Sequence, residues 1–109
     1  MKKPPAPARP PVLTERQLRH LRGLAHTLRP VVRFGHAGLT EALVHETARA
    51  LRDHELIKVR APGGDRAARD LLFAALAAQT GSVLVQRIGN VAVLYRADAQ
   101  LPRLLLPDA

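Results

Sequence analysis

The sequence contains no cysteine, which excludes disulfide bonds and thiolate metal sites within the chain. Aromatic residues make up only 3% of it, and they are Phe34, Phe73 and Tyr95. The hydrophobic core must therefore consist mainly of aliphatic side chains, and few rings are available to stack on nucleic-acid bases. The longest apolar run, residues 71–78, is much shorter than the roughly 18 residues that indicate a membrane span.

Motifs of the common enzyme classes are also missing. His45 and Glu46 begin like a zinc-protease HExxH motif, but Arg49 occupies the position of the second histidine. The histidines show no metal-ligand spacing, and the only serine, Ser82, begins a predicted strand. There is no P-loop lysine and no GxGxxG motif. We therefore expect a protein that is not an enzyme and that has no cofactor, metal or small-molecule substrate.

The N-terminal segment, residues 1–12, is basic and contains five of the nine prolines. We expect a flexible arm without a core of its own. It either touches phosphate or stays solvated, and the sequence leaves both open. Because prolines stand where a signal peptide needs an apolar stretch, we expect a cytoplasmic protein with no membrane partner.

Most of the net charge of +8 lies in the first third of the chain. Residues 1–38 contain eight lysines and arginines and one acidic residue, Glu15, whereas residues 39–61 and 62–109 are nearly balanced. A charge of one sign concentrated in one region attracts polyanions. This distribution favours a nucleic-acid partner.

Capping residues and apolar periodicity divide the rest of the chain into seven elements. The predicted elements are a helix from Thr14 to Pro30, a strand over 31–34, a helix from Thr40 to Asp53, a strand over 56–60, a helix from Asp65 to Gly81, and strands over 82–88 and 91–96 joined by a tight turn at 89–90. We expect Gly23 to allow close approach of another backbone. The predicted inner side of the third helix consists of Ala68, Leu72, Ala75, Leu76 and Gln79.

Strands separated by helices predict an α/β fold: one compact domain with helices packed on a mixed four-stranded sheet. We expect the domain to cover residues 13–97. The tail, residues 98–109, contains an apolar patch at 104–106 and is expected to pack back onto the domain.

The loop Gly35-His36-Ala37-Gly38 joins a predicted strand to a predicted helix. Glycines allow a tight turn and close approach of a ligand, and a helix N-terminus favours phosphate. The pattern alone is weak, because an ordinary strand-to-helix turn has the same form. It gains weight from the preceding helix, on which Arg19, Arg22, His26 and Arg29 are expected to form one cationic stripe with no acidic partner beyond Glu15.

Several stretches of the sequence resemble the CRM domain (chloroplast RNA splicing and ribosome maturation), in particular its stand-alone bacterial YhbY-type members. The resemblance covers roughly residues 13–107. The matching stretches are LRGLAH at 21–26, LRPVV at 28–32, GHAGLT at 35–40, HELIKV at 54–59, GN at 89–90 and LYR at 94–96.

The resemblance implies a fold similar to the C-terminal domain of bacterial translation initiation factor three, with RNA bound through the loop and the neighbouring basic surface. The implied RNA-binding residues are Gly35, His36, Ala37, Gly38, Arg19, Arg22 and Arg29. We also expect the basic strand residues Arg33, Lys58 and Arg60 to bind RNA. Many members carry lysine or a polar residue between the two glycines. Because this chain has histidine and alanine there, we expect the loop to rely more on its backbone N–H groups.

The resemblance further implies a role in assembly of the large ribosomal subunit, with precursor ribosomal RNA and the pre-ribosomal particle as partners. We expect mainly phosphate and shape recognition, since side chains have poor access to bases in A-form helices. Two alternatives stay open: a general RNA chaperone or regulator of small RNAs or messages, and a protein–protein adaptor at the ribosome.

Overall fold

The structure, a computed structural model, describes residues 12–108. Apart from Val12, the predicted N-terminal arm lies outside the described residues. The elements are α1 (Glu15–Ala25), β1 (Pro30–Arg33), α2 (Glu41–His54), β2 (Leu56–Arg60), α3 (Arg66–Thr80), β3 (Val83–Ile88) and β4 (Val91–Tyr95). Their number and order confirm the predicted sequence of elements.

Local capping signals determine where the helices begin. Thr14 forms a complete capping box with Gln17, and the side chains of Thr40 and Asp65 accept backbone N–H groups at the starts of α2 and α3. Gly81 ends α3 in the left-handed conformation. Within residues 12–108, none of the helices is long and apolar enough to cross a membrane.

The four strands form one mixed sheet in the order β1-β2-β4-β3. β1 and β2 are parallel, and β4 is antiparallel to both β2 and β3. The turn between β3 and β4, at residues 89–90, has a positive φ at Gly89. The predicted mixed sheet and hairpin are therefore confirmed. We call the side of the sheet at which both β1 and β2 end the carboxyl edge.

The two faces of the sheet are covered by different helices. On one face α2 and α3 pack against alternate strand residues, and Phe34 and Phe73 meet edge to face with ring centroids 6.0 Å apart. On the other face Leu21 and Ala25 of α1 pack against strand side chains around Tyr95. The core is therefore divided into two aliphatic clusters by the sheet itself.

Helix α1 ends at Ala25, several residues before its predicted end at Pro30. Proline has no N–H to donate to the carbonyl of His26, so a helix could not continue normally through this segment. Instead, the ammonium group of Lys58 donates to the carbonyl oxygens of His26 (3.5 Å) and Leu28 (2.9 Å). Arg29 is consequently not on α1, and the predicted four-residue stripe is wrong at this position.

One packing prediction is also wrong, and a second is only partly confirmed. A Cβ atom added to Gly23 would meet nothing within 4 Å, so no backbone approaches this glycine inside the domain. On α3, Leu76 is buried and Leu72 packs against the core as predicted. The other buried residues are Phe73, Ala77 and Thr80, whereas the predicted Ala68 and Gln79 are exposed. The run of alanines in α3 gave little contrast between faces, and the ring of Phe73 decides which face packs inward.

A buried carboxylate joins the C-terminal segment to the domain. Glu55, which is 0% exposed, accepts backbone N–H groups from Asp98, Arg103 and Leu104 at 2.7–2.9 Å. Burial raises the pKa of this carboxyl group, but the three hydrogen bonds and the charge of Arg103 outweigh burial and lower the pKa overall. Leu104 and Leu106 then pack on the α1 cluster, while Leu105 is exposed.

We predict that Glu55→Gln destabilises the domain by about 2–4 kcal/mol, because an amide cannot accept all three N–H groups. Urea unfolding at neutral pH measures this change, with exposed Asp53→Asn as the matched control, expected within about 0.5 kcal/mol of wild type. The carboxylate stabilises the fold above its unfolded pKa of about 4.3, and this contribution is lost as the pH falls through the lower folded pKa. A fully stable Glu55→Gln variant would contradict the assignment.

Candidate nucleic-acid interface

The loop between β1 and α2 presents its backbone to solvent at the carboxyl edge. Gly35, His36 and Ala37 are exposed, and the N–H of Gly38 donates to the carbonyl oxygen of Gly35 at 3.2 Å, which closes a turn. Within residues 12–108, the N–H groups of His36 and Ala37 donate to no protein acceptor. The loop can therefore offer free donors to an anion.

The two glycines of this loop differ in whether the fold requires them. Gly38 has φ +71°, a conformation that side chains with a Cβ atom rarely adopt. Gly35 has no such φ, and a Cβ atom there would meet nothing within 4 Å. The fold thus requires glycine at position 38. At position 35 the fold does not require it, and the absence of a side chain leaves the loop backbone accessible from solvent.

The N-terminus of α2 contributes less than the sequence predicts. Leu39 and Thr40 separate the loop from the helix, and the Thr40 hydroxyl already accepts the N–H of Leu43 at 3.1 Å. Glu41 in the first turn also places a negative charge at the helix end. The groups at this edge that could attract an anion are therefore the loop backbone and the neighbouring arginines rather than the helix end.

Arg33 and Arg60 lie side by side next to the loop. They are register partners on the parallel strands β1 and β2, and both are exposed. Neither belongs to an ion pair in the part of the chain that the structure describes. Like charges directly opposite each other on a sheet are mildly destabilising. Because no carboxylate of the described residues offsets this repulsion, an anion bound between the two guanidinium groups would relieve it.

Arg19 and Arg22 lie on the side of α1 that does not carry Gln17 and Leu24. The opposite flank faces the amino end of β2, because Gln17 donates to the carbonyl of Pro107 and Leu24 lines a groove beside His54. At about 100° per residue, both arginines point away from that groove.

The stripe on α1 is not free of acidic partners. Arg22 forms an ion pair with Glu15 at 2.7 Å, which corrects the expected unpaired stripe. The hydrogen bond and charge of Arg22, with a smaller effect of Arg19, lower the pKa of Glu15. The pair is solvent-exposed and therefore weak, so an incoming phosphate can compete with the carboxylate for Arg22.

Two of the predicted binding residues are not brought to this surface as free cations. Lys58 lies on the α1 side of the sheet, but its ammonium group donates to the carbonyl oxygens of His26 and Leu28, just after α1. Arg29 precedes β1, about 20 Å of extended chain away from the loop, and lines the groove with His54.

A contact between the hairpin turn and the end of β2, which the sequence pattern does not predict, stabilises this edge. Asn90 of the hairpin turn accepts the N–H of Ala61 through its carbonyl oxygen, and its side-chain amide donates to the carbonyl of Ala61. The turn itself was predicted, but a local turn signal does not reveal which distant residue it binds. In the region covered by residues 12–108, no group of three or more histidine or acidic side chains is arranged to hold a metal.

The fold and this edge define a small α/β domain in which a glycine loop and two arginines, without ion pairs among residues 12–108, meet where two parallel strands end. A family model, the CRS1/YhbY (CRM) domain, matches residues 13–96. The chain therefore belongs to the CRM-domain family, as its sequence resemblance predicted.

Relatives of this chain are small proteins of similar length. A Haemophilus influenzae protein named "RNA-binding protein" is 46% identical over 95 residues, covering 84% of this chain and 96% of that protein. The Bacillus subtilis protein named "Probable RNA-binding protein YqeI" is 35% identical over 96 residues, covering 88% of this chain and all of that protein. The solution structure of Staphylococcus aureus SAV1595 superposes with a TM-score of 0.75 at 34% identity, covering 88% of this chain and 100% of that one.

We predict that Gly38→Ala lowers the free energy of unfolding by about 1–2 kcal/mol, because alanine is strained at the positive φ of this position. Gly35→Ala is the matched control in the same turn and should stay within about 0.5 kcal/mol of wild type. Chemical denaturation of the two variants gives the comparison. Equal losses at both positions would mean that the turn geometry has been assigned wrongly.

Proposed function

We propose that this protein binds structured RNA in the cytoplasm through its carboxyl edge. The proposed surface consists of the loop Gly35-His36-Ala37-Gly38 with Arg19, Arg22, Arg33 and Arg60. The observation that carries the proposal is the pair of exposed arginines, Arg33 and Arg60, beside a loop with free backbone donors. The names of the relatives as RNA-binding proteins support it.

In this proposal RNA is held mainly through phosphate. The N–H groups of His36 and Ala37 bind one phosphate at close range, because Gly35 adds no side chain between them and the ligand. Arg33 and Arg60 bind neighbouring phosphates, and guanidinium groups suit this role because they donate in a planar fork. Arg19 and Arg22 extend the contact along α1. Such a surface supports recognition of backbone shape rather than base sequence.

The biological role that we propose is assembly of the large ribosomal subunit, by binding of precursor ribosomal RNA in the pre-ribosomal particle. Family membership and the phosphate-directed chemistry of the surface support this role. The proposed role consists of binding without covalent chemistry, so we propose that the protein is not an enzyme. Arg29 and Lys58 are left out of the proposed contact surface.

The first test neutralises the α1 cations with Arg19→Gln and Arg22→Gln. Glutamine is preferred to glutamate because a second acidic residue would repel Glu15. We expect affinity for a hairpin RNA to fall about tenfold or more and the slope of log affinity against log salt to fall by about 1–2, because up to two phosphate contacts are removed. Fluorescence anisotropy titrations at several salt concentrations provide both values.

The matched control is Arg29→Gln with Arg49→Gln, which removes the same charge from exposed positions away from the carboxyl edge. Its salt slope should stay close to that of wild type, because only general attraction is reduced. If both double variants lose affinity and slope equally, net charge and not this surface determines binding, and the placement is wrong.

The assembly role predicts where the protein is found in cell extracts. We expect it to sediment with precursors of the large subunit and to be released from them by ribonuclease. Gradient fractionation followed by immunodetection makes the measurement, with the Arg19→Gln and Arg22→Gln variant as control, which should shift to light fractions. Wild type spread through light fractions would indicate a general RNA chaperone, and a complex that survives ribonuclease would indicate a protein adaptor.

A further inference from the structure

One residue from each strand forms a continuous row across the sheet at the carboxyl edge. Arg33 pairs with Arg60, Arg60 pairs with Val91, and Val91 pairs with Ile88. Directly paired residues point to the same face of a sheet, so all four side chains lie on one side. With strands about 4.8 Å apart, the row is about 14 Å wide.

The row lies on the α1 face but beyond the part that α1 covers. Residues alternate along a strand, so Arg60 shares its face with Leu56, and Val91 shares its face with Val93. Leu56 and Val93 are buried beneath α1, whereas Arg33, Arg60 and Ile88 are exposed. A strip of sheet face next to the loop is therefore left open.

The open row is cationic at one end and aliphatic at the other. Arg33 and Arg60 form the cationic half, and Val91 with Ile88, which is 61% exposed, forms the aliphatic half. Phosphate alone explains the arginines, but it gives no reason for an exposed isoleucine beside them. A ligand that matches both halves carries an anionic group and a flat apolar group within about 14 Å.

We propose that this row binds an unpaired nucleotide that continues from the RNA strand held by the loop. A phosphate lies between Arg33 and Arg60, and the base or ribose of the next nucleotide lies on Val91 and Ile88. The inference rests on the proposed function and adds to it a substrate class: a helical RNA segment with an adjoining single-stranded extension. Stacked bases within a helix are not available for such a contact, whereas unpaired bases are.

The test compares two RNAs on the full-length protein: a blunt-ended hairpin, and the same hairpin with a short unpaired extension. We expect wild type to bind the extended RNA about fivefold more tightly, the effect of covering part of one aliphatic side chain. In Ile88→Ala this preference should disappear, while affinity for the blunt hairpin stays unchanged. Anisotropy titrations of both RNAs give the ratio directly.

Leu71→Ala is the matched control, because Leu71 is an aliphatic side chain on α3 that is 72% exposed and lies away from the row. It should keep the wild-type preference, and circular dichroism should show both variants folded. The inference is overturned if wild type binds both RNAs equally, or if Ile88→Ala weakens both equally. In either case the proposed function stands. Wild type that binds neither RNA overturns the proposed function and the inference together.

Discussion

The parallel pairing of β1 with β2 is the constraint on which the rest of this structure depends. Since parallel strands end at the same edge, the crossover through α2 brings the glycine loop after β1 beside the end of β2. The same pairing sets Arg33 directly opposite Arg60, at an electrostatic cost within the free domain. The hairpin turn joins this edge through Asn90, so loop, arginines and turn form one surface although they come from distant parts of the chain.

Much of the fold could be predicted because its signals are local. Thr14, Asp65 and Gly81 mark helix ends through contacts within a few residues, and the hairpin turn is encoded by its two residues. The end of α1 could not be placed, because the Lys58 ammonium that completes it comes from a strand thirty residues later. The inner face of α3 was predicted only in part for a related reason: alanines on several sides leave the choice to tertiary packing.

For the candidate site, the sequence predicts which residue types are present better than it predicts how they are arranged. Arg33 and Arg60 do lie side by side next to the loop, but the Glu15 contact to Arg22 spans two helical turns and was underestimated. The row that ends in Ile88 depends on strand register, which the sequence pattern does not specify across β1, β2 and β4. The burial of Glu55 gave no signal in the sequence, because carboxylates are ordinarily exposed to water.

The C-terminal segment has a consequence for how the domain forms on a growing chain. Gln17 in α1 donates to the carbonyl of Pro107, ninety residues away, and Leu104 packs against the same cluster as Leu21. Helix α1 is thus synthesised before every strand, yet its complete packing on the sheet requires C-terminal residues that follow the last strand. Contacts of such long sequence separation form late and slowly. A nascent chain would therefore hold a completed α2–α3 side of the sheet while its α1 side is still open, and the docking of α1 would be completed last.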